Sequence, residues 1–365
     1  MQASPAPTFG AVRQAFTEAR EARKARHRDI AAALQISEGE LLAAHLGDFA
    51  ADESPLLARR LKPEWQRLIA ALEPLGDVMA LTRNESCVHE KVGCYREVSG
   101  QGAVGLVLAG AIDLRIFYSH WAHGFAVQER LSDGALQRSL QFFDAAGTAI
   151  HKVFLKPASD LAAYEALVAD FLAEDQAPGL SPGAAWAEPA ERPDAAIDAA
   201  ALRRDWASLR DTHEFFGLLK KHGVSRTQAL RLADPAYVQP LPTGSALELL
   251  QRAAQEGVSI MVFVGNPGMI QIHSGPVQKV VVMGPWINVL DPGFNLHLRE
   301  DHIAGAWLVR KPTTDGLVSS LELFDAEGRT IAMLFGERKP GQAERCDWRS
   351  LLDSLVEGRT EAAAC

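Results

Sequence analysis

The apolar positions of this chain recur with two periods. In the first half, residues 105–108, 113–118, 124–128, 140–143 and 150–155 are short, β-rich and separated by turn residues, so each is predicted to be a strand. Residues 30–46 instead carry apolar positions at helical spacing around Ile36-Ser37, where Ser37 can cap a second helix, and residues 161–172 close the half as a helix. The second half repeats this order. Its helix over residues 212–221 is opened by Asp211 or Thr212 and stopped at Gly223, and strands are predicted at residues 260–264, 278–283, 306–309, 317–324 and 330–335. Helices first, then a long series of strands, then a helix, without strict βαβ alternation, predicts an α+β fold with antiparallel sheets.

The two halves also match residue by residue. Leu140-Gln-Phe-Phe-Asp144-Ala-Ala-Gly147-Thr-Ala-Ile150 returns as Leu321-Glu-Leu-Phe-Asp325-Ala-Glu-Gly328-Arg-Thr-Ile331, with the same alternation and the same Asp-x-x-Gly turn. Upstream, residues 79–84 pair with 261–266, His89 with His273, Asp113-Leu-Arg115 with Asn295-Leu-His297, His120 with His302, and residues 27–48 with 213–234. With 365 residues in all, each copy has the size of one ordinary domain, which predicts two similar lobes. Pro178, Pro182, Pro189 and Pro193 stand among Ala, Gly and acidic residues without periodicity and read as the linker. The expected boundaries are residues 1–173, a linker over 174–200, and residues 201–365.

Composition narrows the partners. Apolar residues make up 47% of the chain and charged ones 23%, the profile of a soluble globular protein. No apolar run approaches a membrane span, and the Ala/Arg-rich stretch over residues 12–28 also carries Glu18 and Glu21 with no apolar signal core before it, so the expected location is cytoplasmic, without membrane insertion. Cys87, Cys94, Cys346 and Cys365 lack C-x-x-C spacing and are expected to be reduced thiols. A net charge of -9 argues against broad adhesion to nucleic acid or anionic lipid. A small molecule or another protein is the expected partner.

Several motifs invite chemistry. Gly100-Gln-Gly102-Ala-Val-Gly105 spells a dinucleotide fingerprint, but a strand-like Leu106-Val-Leu108 follows where a phosphate-binding helix is required, so it is read as a hairpin turn. Residues 29–46, next to Arg23, Lys24, Arg26 and Arg28, have a helix-turn-helix pattern that would put a recognition helix in a DNA major groove; residues 218–230 repeat it. A plain helical hairpin copied by duplication explains both equally. His120-x-x-His123 would share a helix face, but in a strand-rich stretch the two point apart and no third zinc ligand accompanies them. No nucleophile elbow, P-loop or zincin motif is present.

Asp211-Thr-His213-Glu-Phe-Phe216-Gly217 remains. A histidine in the first turn of a helix feels the positive dipole end, which favours the neutral imidazole that a metal requires. Phe216 and Gly217 lie one turn on, on the same face, so a flat ligand there would meet an aromatic ring and then a gap. An ordinary capping or buried histidine accounts for these facts as well.

Taken together, these features resemble the cytoplasmic haem-utilisation proteins called hemin-degrading factors, the HemS/ChuS/PhuS family. The resemblance covers nearly the whole chain. It rests on Ala80-Leu-Thr-Arg-Asn84 with Val88-His-Glu-Lys91, Ile112-Asp-Leu-Arg-Ile-Phe117, His120-Trp-x-His-Gly-Phe-Ala-Val127, the His213 segment, Lys311-Pro-Thr-x-Asp-Gly316 and Phe335-Gly-Glu-Arg-Lys339. It implies two repeats, each an antiparallel sheet flanked by helices, with a haem cleft between repeats, and one haem b (iron protoporphyrin IX) per chain. On matching positions it implies that His213 is the axial ligand of the haem iron, that Arg115 and Phe117 form the distal side, that Phe216 and Gly217 face the porphyrin, and that Arg226, Lys311 and Arg338 hold the propionates or edge. Such a site is chemically coherent: an apolar disc with two carboxylates calls for one neutral nitrogen, apolar faces and charged donors at the rim. Glu214 and Phe216 stand where some members carry further histidines, and Phe335 where some place a polar contact.

Three functions follow from this reading. The first is a haem carrier in haem uptake and iron acquisition, which receives haem from an ABC-type importer and delivers it to a haem oxygenase. The second makes the same site a haem-degrading monooxygenase that frees iron with dioxygen and external electrons, Arg115 being the candidate distal residue; nothing in the chain binds a flavin or nicotinamide. The third is a DNA-binding regulator. A homodimer of the apo form is left open.

Overall fold

The structure, a computed structural model, describes residues 7–23, 26–47, 54–339 and 341–362; Lys24, Cys365 and the last position of the repeat segment 27–48 lie outside them. The chain forms two compact units. Unit 1 comprises Met1–Arg83, Lys91–Ala187 and Asn266–Ile270, and unit 2 comprises Asn84–Glu90, Glu188–Gly265 and Gln271–Cys365.

In chain order the first elements are α1 (Phe9–Arg23), α2 (His27–Ala33), α3 (Glu38–Ala44), β1 (Leu56–Arg60), α4 (Trp65–Ala70), β2 (Val78–Arg83) and β3 (Cys87–Gly93). They continue with β4 (Arg96–Gln101), β5 (Val104–Ala109), β6 (Asp113–Phe117), β7 (His123–Arg130), β8 (Leu136–Phe143), β9 (Ala149–Leu155) and α5 (Leu161–Asp170). Within unit 1 the strands run β1-β7-β8-β9-β2 and, as a second run, β6-β5-β4, with antiparallel neighbours. Phe125, Val127 and Phe143 pack against α1, α2 and α3, whereas Ala126, Leu140, Phe142 and Val153 pack with side chains of α4 and α5. Strands covered on both faces read as near-continuous apolar runs.

Unit 2 repeats this plan. Its elements are α6 (Ala199–Ala207), α7 (Glu214–His222), α8 (Arg226–Leu232), β10 (Val238–Leu241), α9 (Ser245–Glu256), β11 (Ile260–Asn266), β12 (Met269–Gly275) and β13 (Val280–Met283). They end with β14 (Trp286–Asp291), β15 (Phe294–Arg299), β16 (Gly305–Thr313), β17 (Gly316–Phe324), β18 (Thr330–Gly336) and α10 (Cys346–Ala362). The strands run β10-β16-β17-β18-β11, with β3-β15-β14-β13 as the second run. Val238, Val309 and Phe324 pack with α6, α7 and α8; Leu308, Leu321, Leu323 and Leu334 pack with α9 and α10. Both units are therefore antiparallel sheets flanked by helices, the α+β duplication expected from the sequence.

The duplication reaches single hydrogen bonds. In both Asp-x-x-Gly turns the Asp side chain accepts the N–H four residues on, Thr148 at 2.7 Å and Arg329 at 2.8 Å. The glycine supplies the left-handed backbone, with φ of +80° at Gly147 and +78° at Gly328. Asn84 Nδ2 donates to the carbonyls of Gly265 and Ile331 in unit 2, and its counterpart Asn266 donates to those of Arg83 and Ile150 in unit 1.

Three expectations are refined. The glycine-rich segment is a β4–β5 hairpin, with Gly100 opposite Gly105 and Gly102 at a φ of +58°. The proline-rich linker is hydrogen-bonded along its length: Gln176 bonds both ways with Arg60, the Gly179 N–H reaches Ala43, and Asp194 accepts from Gln228 and Arg231. The DNA reading is contradicted at the recognition helix of its first copy. Ser37 does cap α3 through a capping box with Glu40, but every other residue of α3 is buried, and its buried charge, Glu38, pairs inward with Arg83 and Lys152. A helix packed on all sides presents nothing to a groove.

Candidate functional site

α7 opens two residues later than the sequence predicts. Asp211 Oδ1 accepts the backbone N–H of His213 at 2.8 Å, a local turn that competes with the first helical bonds, so helix proper begins at Glu214 and His213 sits at the N-cap position. The same Oδ1 stands 2.6 Å from His213 Nδ1. The backbone N–H of His213, followed by the bond to its ring, holds the Asp211 carboxyl below the usual carboxylate range, with Arg338 adding to the field. With Nδ1 engaged, His213 Nε2 faces outward, and the side chain is 87% exposed. The helix ends as expected at Gly223, in the left-handed conformation, with Lys220, Lys221 and His222 at its negative end.

The remainder of α7 splits into two faces. Phe215 and Leu218 are buried with Trp206, Leu230 and Val309, and Phe215 meets Trp206 edge-on at 4.8 Å. Phe216, one turn from His213, is 75% exposed, and a Cβ placed on Gly217 would meet nothing within 4 Å. His213, Phe216 and Gly217 thus form an open surface with a nitrogen, a ring and a gap.

The cations named from the sequence lie elsewhere in unit 2. Arg226 gives two donors to Glu322, at 2.6 and 2.8 Å, and Lys311 adds a third bond at 2.7 Å. Glu322 is fully buried and Lys311 is 3% exposed. Burial alone would raise the Glu322 pKa, but the two cations outweigh it and hold it below the carboxylate range; burial brings Lys311 down to about 8 against the pull of Glu322. Both cations also stand over the Phe215 ring, at 5.0 and 4.5 Å. Lys311 is therefore inside the fold and not on a solvated rim, because a buried carboxylate draws it there, while Arg226 is half-buried. Arg338 is half-buried too, donating to the Gln342 carbonyl and lying 3.7 Å from Asp315.

Arg115 and Phe117 belong to unit 1. Leu114 and Ile116 are buried in its core, so Asp113, Arg115 and Phe117 share the opposite face of β6, where Arg115 pairs with Asp113. The register sets Leu106 beside Arg115 and Val104 beside Phe117. Val104 is 44% exposed and Leu108 47%. Sequence reasoning missed this apolar strip on β5, since only the register tells Val104 and Leu108 from buried Val107. It also missed Glu322, whose signal was a charge inside an apolar strand, and Asp211 as a partner of the His213 ring, whose signal was the Asp-x-His spacing.

The duplicate positions have other partners. His27, which matches His213, is buried, 3.0 Å from Glu129 and edge-on to Phe16 of α1. His297, which matches Arg115, bonds Asn288 at 2.6 Å, and Arg299 lies over Trp286.

Comparison with known proteins agrees with the duplication. The haemin-degrading HemS/ChuX domain matches twice, at residues 35–171 and 223–355. The chain belongs to this HemS/ChuX family. It is 40% identical to the hemin transport protein HmuS of Yersinia pestis over 333 residues, 90% of this chain and 92% of HmuS. Among solved structures, holo-PhuS, a haem-binding protein from Pseudomonas aeruginosa, has a TM-score of 0.90 at 50% identity, covering 95% of this chain and 99% of PhuS. ChuS of Escherichia coli, described as a haem oxygenase, has a TM-score of 0.82 at 37% identity, covering 94% and 99%. HemS/ChuX relatives thus divide between transport and degradation, and α7 lies between the two matched stretches.

Proposed function

We propose that this chain is a cytoplasmic haem carrier that receives haem b, one per chain, from an ABC-type importer and delivers it to a haem oxygenase. The open face of α7 carries the reading. A phenylalanine ring three-quarters exposed beside an outward imidazole and a glycine gap costs solvent ordering in the free protein and fits a flat apolar ligand with a metal at its centre. His213 Nε2 is the iron ligand, Phe216 and Gly217 meet the porphyrin, and Arg338 and Arg226 serve its carboxylates. Lys311 acts through Glu322 and Phe215, which fix the back of α7. Arg115 and Phe117 keep the distal role that the family implies.

One haem per chain is the reading that the duplicate positions support, with His27 buried on Glu129 and His297 engaged with Asn288. Among the described residues no helix is long and apolar enough to cross a membrane, which suits a carrier working behind an importer.

A second reading, degradation of the bound haem, is favoured by the likeness to ChuS and by Arg115, a hydrogen-bond donor amid an apolar strip. Bound haem would supply redox chemistry at iron; the electrons would come from a separate reductant. The haem-loaded protein, given reductant and oxygen with catalase present, separates the two. Carriage predicts that the Soret band persists until a haem oxygenase is added. Stoichiometric loss of the band with release of a defined product would overturn carriage in favour of degradation.

A further inference from the structure

One oxygen of Asp211 serves two donors of the same residue. The backbone bond to His213, at 2.8 Å, shapes the turn before α7 and requires an oxygen but no charge. The contact with Nδ1, at 2.6 Å, is different in kind. It is a hydrogen bond only when Nδ1 carries the proton, and a neutral imidazole protonated there has its lone pair on Nε2. A carboxylate on one ring nitrogen also makes the other a stronger donor to a metal. Glu214, the other acid of this turn, does not compete, because its carboxylate accepts the backbone N–H of Arg210 at 2.9 Å.

Resting on the carrier reading above, we propose that Asp211 is the positioning residue of the iron ligand: it fixes His213 with Nε2 presented and sets, through its charge, how strongly that nitrogen donates to iron. The bond strengthens as a bound porphyrin displaces water from the turn, since a charge-assisted hydrogen bond is worth more in a drier surrounding. The site is thereby tuned toward the ferric state, which gains most from an electron-rich ligand.

The full chain carrying Asp211→Asn separates charge from shape. Asparagine retains an oxygen for the backbone N–H of His213, so the melting temperature stays unchanged, while hemin affinity falls roughly ten- to a hundredfold. The ferric/ferrous midpoint potential moves upward, and the iron–histidine stretch of the ferrous protein moves to lower frequency. Asp211→Ala, which also removes the acceptor, shifts the His213 proton toward Nε2 in the apo protein, visible in the ring nitrogen chemical shifts. Parent values of affinity, potential and stretch in both variants would overturn the positioning role. If His213→Ala abolishes the Soret band while both Asp211 variants match the parent, only this inference fails. If His213→Ala leaves the band intact, the carrier reading fails first.

Discussion

Phe215 and Phe216 are chain neighbours on opposite faces of α7, one 2% exposed and the other 75%. The first holds the helix against Trp206, Arg226 and Lys311; the second contributes nothing to the folded core. Phe216→Ser is therefore expected to leave thermal stability unchanged or slightly raised while weakening hemin binding. Covering a phenylalanine is worth about 1.5–3 kcal/mol, so the expected loss is roughly tenfold to a hundredfold in Kd. Equal hemin titrations of the variant and the parent protein would refute contact at this ring.

Glu322 is the hub on which Arg226 and Lys311 converge. Glu322→Gln leaves a buried ammonium and a half-buried guanidinium without their counter-charge, and removal of one member of a buried pair costs roughly 3–5 kcal/mol. A matching fall in urea unfolding free energy is expected. The Glu322→Met, Lys311→Met double variant should recover much of it, because the buried ammonium is then gone and the Arg226 guanidinium that remains is half-buried and can reach water. Since α7 rests on this cluster through Phe215, the single variant should also release haem faster.

Acid should weaken unit 1 through two histidines. Burial lowers His45 to about 4, and it lowers His151, enclosed between Thr82 and Tyr95, to about 3. The unfolded chain takes up these protons near pH 6.5, whereas the native state refuses them until about pH 4 at His45 and about pH 3 at His151. Between those values the unfolded state binds more protons, so stability rises with pH: it is full above 6.5 and is lost progressively as pH falls toward 4 at His45 and 3 at His151. Each group contributes a slope of about 1.4 kcal/mol per pH unit. Urea midpoints measured from pH 7 to 4 should show this decline, and His45→Asn should flatten it by one group's share. A pH-independent midpoint in the parent would contradict the buried neutral state of both rings.

What the sequence revealed was what local chemistry dictates. Ser37 and Gly223 mark the ends they were expected to mark, because a cap and a left-handed glycine act within a few residues. Both Asp-x-x-Gly turns were legible for the same reason. α9 received no prediction and the closing helix α10 no bounds, although α9 buries Ala246, Leu249, Leu250 and Ala253 at helical spacing; its small alanines and its uncapped start at Gly244 weaken the local signal. Lys311 looked like a surface cation because nothing near it in the chain announces Glu322, which reaches it across the β16–β17 pair. The β5 strip was hidden likewise, since alternation shows that a strand has two faces but not which one stays open.

The most direct test is hemin titration of the full chain and of His213→Ala, followed in the Soret region. Capture of iron by the outward imidazole predicts a saturable band at one haem per chain in the parent protein, and a blue-shifted, greatly weakened one in the variant. Identical spectra and equal affinity in the two proteins would contradict the account.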